Sequence, residues 1–278
     1  MSPGPSLARP RSAGVTVWCA PPFPARAGAS AWLSPGETAR AAGFRREADR
    51  DRFTTGRALV RAALGEGLGV APRDVVVRLA SRGGATPGRP FVDGAPSFSI
   101  AHAGAWVLVA VAGGRPDGVD VGVDVESTAA ARDHLADLLD AVPGGERPLT
   151  GWTPASFTRS WVRREAVLKA VGTGLLAPRD DLLLDRADLP ARTVHSTGML
   201  PAPDRLALRD LDLPAPPAGA TGATGATPPA GATGDGRRTG ETYLAAVAIC
   251  SAVGPVRFSD VELADGLPLL ARHGIAAR

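Results

Sequence analysis

GVDVGVDVEST, residues 118–128, is the stretch from which the rest of the chain can be read. A β-strand repeats every two residues. Val119, Val121, Val123 and Val125 therefore face one way, and Asp120, Gly122, Asp124 and Glu126 the other. Valine suits a strand, whereas Asp and Glu are depleted from strands. Asp124 and Glu126 sit side by side on one face and repel each other. A solvated face accounts for this alternation in one way, a bound divalent cation in another.

The bulk composition narrows the choices. The 278 residues suffice for a sizeable core, in one domain or two moderate ones. The formal net charge is +3, and no basic run with interleaved aromatics marks a nucleic-acid surface. No apolar run reaches the length of a membrane span. The N-terminal arginines are interrupted by prolines before any apolar run of signal-peptide length, so a cytoplasmic protein is expected. Two cysteines, Cys19 and Cys250, are too few for a disulfide scaffold and lie in no metal-ligand spacing. Of the 31 basic residues only Lys169 is a lysine, which suggests a position that wants a compact ammonium rather than a planar fork.

Outward from the opening strand, the pattern predicts an α+β chain. VTVWCA (15–20) reads as a first strand, and Ser34, Pro35 and Glu37 form a capping box with a helix-compatible proline. A second helix is expected from near Phe53 to Gly67 or Gly69. Strands are expected at 74–80, in two pieces over 97–112 with a turn at His102–Gly104, and at 180–185, 205–213, 242–250 and 255–263. The GGRPDG turn (113–118) predicts a hairpin joining the 106–112 strand to the opening stretch. Helices are expected at 129–142 and 156–175. The GAT-repeat stretch at about 214–240 is low-complexity and reads as a flexible insertion between strands.

The helix at 156–175 carries Trp161, Glu165 and Lys169 at successive four-residue steps, hence on one face. An intrahelical ion pair would explain Glu165 and Lys169 by themselves. If that helix packs across the acidic strand, Glu165 joins Asp124 and Glu126. Three carboxylates with no neighbouring Cys or His suit an octahedral Mg2+ better than a soft metal. Mg2+ of this kind works on phosphates, and Arg52, Arg57, Arg61, His102 and Lys169 are the available phosphate contacts.

Four segments, in order, resemble those of the 4′-phosphopantetheinyl transferases of the surfactin-synthetase-activating type. They are RFTTGRALVR (52–61), SIAHAG (99–104), VGVDVES (121–127) and WVRREAVLKAVGTGL (161–175), with GRP (88–90) as a shorter fifth match. The resemblance covers roughly residues 34–250. It implies a pseudo-twofold pair of similar α+β halves, each a small antiparallel sheet with a long packed helix, divided here into 1–118 and 119–278. It implies transfer of 4′-phosphopantetheine from coenzyme A to a serine of an apo acyl or peptidyl carrier protein, with release of 3′,5′-ADP. The carriers would belong to polyketide, nonribosomal peptide or fatty-acid synthases, and the enzyme would be a monomer with no nucleic-acid or membrane partner.

Carried over to this chain, the resemblance makes Asp124, Glu126 and Glu165 the Mg2+ ligands and Glu165 also the base near the attacking serine. Arg52, Arg57 and His102 contact the coenzyme, and Lys169 neutralises its pyrophosphate. Some positions depart from the pattern. Arg164 replaces the usual lysine before the glutamate. Ser99, Ala101 and Ala103 stand where Asn, Ser and Ser are usual, which predicts fewer polar contacts on that wall. Glu146 is the nearest counterpart of a further acidic residue. The competing reading is a catalytically silent protein that binds coenzyme A or carrier. A phosphoryl-transfer enzyme of the P-loop kind is disfavoured, since the chain has no such loop.

Overall fold

The computed structural model describes residues 11–24, 28–80, 88–113, 118–216 and 242–275. The GAT-repeat insertion and most of the GGRPDG turn lie outside them. The fold is α+β, built on two sheets. Strands β1 (Arg11–Ala20), β4 (Phe98–Ala103), β5 (Trp106–Ala112) and β11 (Val256–Asp265) form one, in the order β11-β1-β5-β4. Strands β6 (Val119–Ser127), β9 (Leu206–Leu211) and β10 (Tyr243–Ser251) form the other, in the order β6-β10-β9. Two short pairs complete the strands: β2 (Arg78–Leu79) with β3 (Pro90–Phe91), and β7 (Leu182–Leu184) with β8 (Thr193–Ser196).

The helices are α1 (Pro35–Ala42), α2 (Glu47–Leu68), α3 (Thr128–Leu138), α4 (Pro154–Val171) and α5 (Gly266–Arg272). The Ser34–Glu37 capping box opens α1 as read from the sequence. Helix α2 begins six residues before Phe53 and ends at Gly69, which is left-handed at φ 68°. Helix α3 stops short of 142, after a kink at His134. No helix among the described residues is long and apolar enough to cross a membrane.

Three expectations of pairing are corrected. Strands β5 and β6 do not form a hairpin: β5 pairs with β1 and β4, and β6 pairs with β10, more than a hundred residues later. The hairpin is β4–β5, turning at Gly104–Ala105, so His102 lies within a strand and not in the turn. The first sheet is mixed and not antiparallel, because β11 runs parallel to β1. A division of the chain at 118/119 cuts across this last pairing.

The two sheets meet along β4 and β6, and side chains make the seam. The Val121 and Val123 amides donate to the hydroxyls of Ser97 and Ser99, each at 3.2 Å. Between the sheets, Val121, Val123 and Val125 pack with Val15, Val17, Leu108, Val247 and Ile249. Helix α2 covers the outer face of the first sheet, where Leu59 and Ala62 meet Val107 and Val109. Helix α4 covers the outer face of the second, where Val162, Ala166 and Ala170 meet Ala246 and Ala248.

Helix α4 comes down on β6 at Gly122. A Cβ there would collide with the Ala166 carbonyl oxygen and the Ala170 amide nitrogen, and would lie 3.0 Å from the Lys169 carbonyl carbon. These are backbone atoms, which cannot rotate away. Gly122→Ala is expected to destabilise the protein by about 3 kcal/mol, the upper end for overpacking a core. Gly67→Ala, on the exposed side of α2 with nothing within 4 Å, should instead stabilise by about 0.5–1 kcal/mol. Urea denaturation of the two variants beside the parent checks both signs.

Candidate active site

The close approach at Gly122 decides what faces what. On β6 the residues flanking this contact toward the strand's end are Asp124 and Glu126. On α4 the half-buried steps beside it are Trp161, Glu165 and Lys169. All five line a single cavity of about 580 Å3, which also takes in Arg52 and Arg57 from α2 and His102 from β4. Every residue singled out as metal-binding, coenzyme-binding or catalytic is thus brought to one place. Arg61 is not: it is 2% exposed and its guanidinium is paired with Glu37 at 2.6 Å.

Asp124 is 5% exposed. Lys169 Nζ donates to its Oδ1 at 2.6 Å and to the Val123 carbonyl at 3.2 Å. Its Oδ2 is buried with no hydrogen-bond partner, as is Oε1 of Glu165. Burial holds the Asp124 carboxyl above its ordinary pKa, opposed by Lys169. Burial and then the Asp124 charge raise Glu165. Glu126 is pushed up to about 7, first by burial and then by Asp124.

The donor set tests well for a hard cation. It consists only of carboxylates, two of their oxygens are orphaned in the interior, and all three groups reach one cavity. They are not gathered: among the described residues no three His, Cys, Asp or Glu side chains converge as a metal cage.

The arginine wall is braced by the fold itself. Arg52 donates to the Gly104 carbonyl at 3.0 Å and to Asp49 at 2.6 Å, which ties α2 to the β4–β5 turn. Arg57 lies 5.2 Å from the centre of the Phe53 ring, and its Nε and Nη1 are buried without hydrogen bonds. Its pKa is lowered by that burial, against the pull of Glu37. His102 reaches solvent at the cavity edge. The protein packed around its ring, and then Arg52, hold its pKa below the ordinary value.

Two cavity residues escaped the sequence reading. Arg40 of α1 lies 5.4 Å from the centre of the Phe53 ring, on a helix read only for its cap. Arg89 joins three parts of the fold, donating to Ser97 and Asp120 at 2.9 Å and to the Ala170 carbonyl at 3.5 Å. It belongs to GRP, a stretch matched by resemblance but given no role.

Two substituted or uncertain positions, Arg164 and Glu146, act behind the cavity, and a third, Ser99, lines it while bonding the seam. Arg164 turns away from the cavity, donating to Glu146 at 2.6 Å and to the Leu182 and Arg179 carbonyls. Glu146 is fully buried and also accepts from Ser160 and from the Leu184 amide, so it does not reach the site. Ser99 faces the seam, where its hydroxyl takes the Val123 amide. Its loss of an amide group relative to the resembled pattern is therefore offset by a structural bond.

In sequence, the chain is 34% identical over 148 residues to the 4′-phosphopantetheinyl transferase HetI of Nostoc sp. strain PCC 7120, a match covering 50% of this chain and 59% of that protein. It is 30% identical over 159 residues to a phosphopantetheinyl transferase of Thraustochytrium sp., covering 50% of this chain and 52% of that protein. The chain thus spans a little over half the length of these relatives. Both carry the name to which the four motifs point. No family model matches the chain.

Two outcomes follow from this geometry. Glu126 is ordinarily at 4.5 and is raised in the folded state, so the native protein holds a proton there that the unfolded chain has released. Its contribution is fully present below about pH 4.5 and is lost as pH rises through about 7. Glu126→Gln should flatten that decline of stability with pH, measured by urea melts from pH 5 to 8. Glu146→Ala leaves the buried Arg164 without its carboxylate and should cost about 3–5 kcal/mol. A midpoint close to the parent's in chemical denaturation would show that this pair is dispensable.

Proposed function

We propose that this protein transfers the 4′-phosphopantetheine group of coenzyme A to a serine of an apo acyl or peptidyl carrier protein, releasing 3′,5′-ADP. The observation that carries the proposal is the meeting of Asp124, Glu126, Glu165 and Lys169 with an arginine-lined wall in one cavity. The names of both similar proteins support the same reading. Carrier domains of polyketide, nonribosomal peptide or fatty-acid synthases are the partner class.

Asp124, Glu126 and Glu165 would hold Mg2+, which when bound neutralises phosphate charge and stabilises the charge that develops on the leaving group. Lys169 supplies a compact positive charge to the pyrophosphate. Arg40, Arg52 and Arg57, with His102, form the wall for the nucleotide's 3′-phosphate end. The serine hydroxyl attacks the phosphorus bearing the pantetheine arm, the bond from that phosphorus to the oxygen of 3′,5′-ADP breaks, and the hydroxyl proton passes to Glu165. A carboxylate that also holds a cation is a weak base, so positioning carries its effect: its place on a rigid helix fixes its direction toward the hydroxyl.

The test is incubation with coenzyme A, Mg2+ and a panel of apo-carriers, read by intact mass and by 3′,5′-ADP release. The expected result is a phosphopantetheine mass gain on at least one carrier. Coenzyme A binding with no gain on any carrier would leave only the silent binding protein. In the active protein, Lys169→Arg should lower kcat/KM for coenzyme A about 10²-fold with little change in Tm. The broader fork misplaces a charge that must already be set for the transition state.

A further inference from the structure

Lys169 is the only lysine of the chain, and it is committed before any substrate arrives. Its Nζ lies 2.6 Å from Asp124 Oδ1. The arginines of the cavity are turned to other groups: Arg52 to Asp49 and the Gly104 carbonyl, Arg89 to Asp120 and Ser97, Arg57 to Glu37, and Arg40 to the face of Phe53. One ammonium therefore serves a cluster of three carboxylates. The Asp124 side chain is 7% exposed, and its second oxygen, like one of Glu165, is buried with no hydrogen-bond partner. These oxygens are fit to receive a cation, yet the groups do not converge as a cage. The ammonium already engages the most buried of these carboxylates, and a divalent ion brought beside it meets like charge at short range.

We infer that Lys169 is the resident counterion of the carboxylate cluster in the ligand-free protein, and that it must leave Asp124 for the phosphates of an incoming substrate before a divalent cation can use that carboxylate. The inference rests on the phosphate-substrate reading above. It makes cation binding conditional. The free protein takes Mg2+ weakly. A diphosphate gives the ammonium a new partner and frees Asp124 in the same event, so substrate and cation enter together. Lys169 is 31% exposed, which leaves its side chain room for this exchange without a backbone change.

Mn2+, titrated into the free protein and followed by electron paramagnetic resonance, tests the first half. Lys169→Met should bind Mn2+ at least about tenfold more tightly than the parent, since the competing charge is gone. Arg40→Gln removes a charge from the same cavity without touching Asp124, and should stay within about twofold of the parent. The second half uses the solitary lysine. Protein labelled with 13C at lysine Cε gives one resonance. That resonance should move on adding coenzyme A without metal, and in Asp124→Asn without ligand, but not with millimolar Mg2+ alone.

Mn2+ affinity in Lys169→Met no greater than the parent's would overturn the inference and leave the proposed transfer untouched. So would an equal gain in Arg40→Gln, which would mean bulk charge and not the Asp124 contact. A lysine resonance displaced by Mg2+ alone would also sink it. Failure of every form to bind Mn2+, with coenzyme A present as well as absent, would remove both this inference and the metal from the proposed function. Should Lys169→Met melt below the parent, Lys169→Gln and the labelled parent carry the same comparison.

Discussion

A helix lying backbone-to-backbone on a strand is the constraint from which the rest of this molecule follows. Helix α4 reaches β6 because position 122 has no side chain and because the middle of β10 presents the small side chains of Ala246 and Ala248 on that face. With those small residues beneath it, the helix sits low enough that side chains one turn apart along it stand beside side chains two apart along the strand. The helical and strand repeats bring Glu165 and Lys169 into register with Asp124 and Glu126 only at this separation. A wider gap would leave the carboxylates on a solvated sheet face and the lysine on an ordinary helix surface.

The buried pair behind the helix has a complementary part. Arg164 is the residue next to Glu165, and the two point about 100° apart around α4. Its bonds to Glu146 and to two backbone carbonyls fix the roll of the helix about its axis. Burying a charge of this kind is costly unless it is paired and hydrogen-bonded. Here the planar guanidinium reaches three acceptors at once, which a lysine's single nitrogen would do less readily. The substitution that looked in the sequence like a change at the substrate face instead anchors the helix that presents that face.

What the sequence made legible was local. Period-two alternation located β6, the Ser34 cap located α1, and four-residue spacing placed Trp161, Glu165 and Lys169 together. Long-range pairing was not legible. The GGRPDG stretch carries every residue expected of a tight turn, so β5 and β6 read as neighbours in one sheet, although they face each other across the core. The true partner of β6 lies beyond the GAT-repeat stretch, and the parallel partner of β1, β11, is the last strand among the described residues. Nothing local to either strand encodes those choices. Arg40 and Arg89 were hidden for a different reason. In a chain where 30 of 31 basic residues are arginine, one arginine carries no distinguishing signal until the fold shows what it faces.

The serine seam has a bearing on the chain's behaviour in a crowded solution. A strand that ends a sheet exposes a row of amides and carbonyls, a template on which another molecule can add a strand of its own. β6 and β4 are both such borders, set toward each other with no backbone ladder between them. Ser97 and Ser99 occupy the amides of Val121 and Val123, on a strand whose valines would otherwise favour fibrillar stacking. Two small hydroxyls thus occupy amides on a valine-rich border that could otherwise recruit a strand from another molecule.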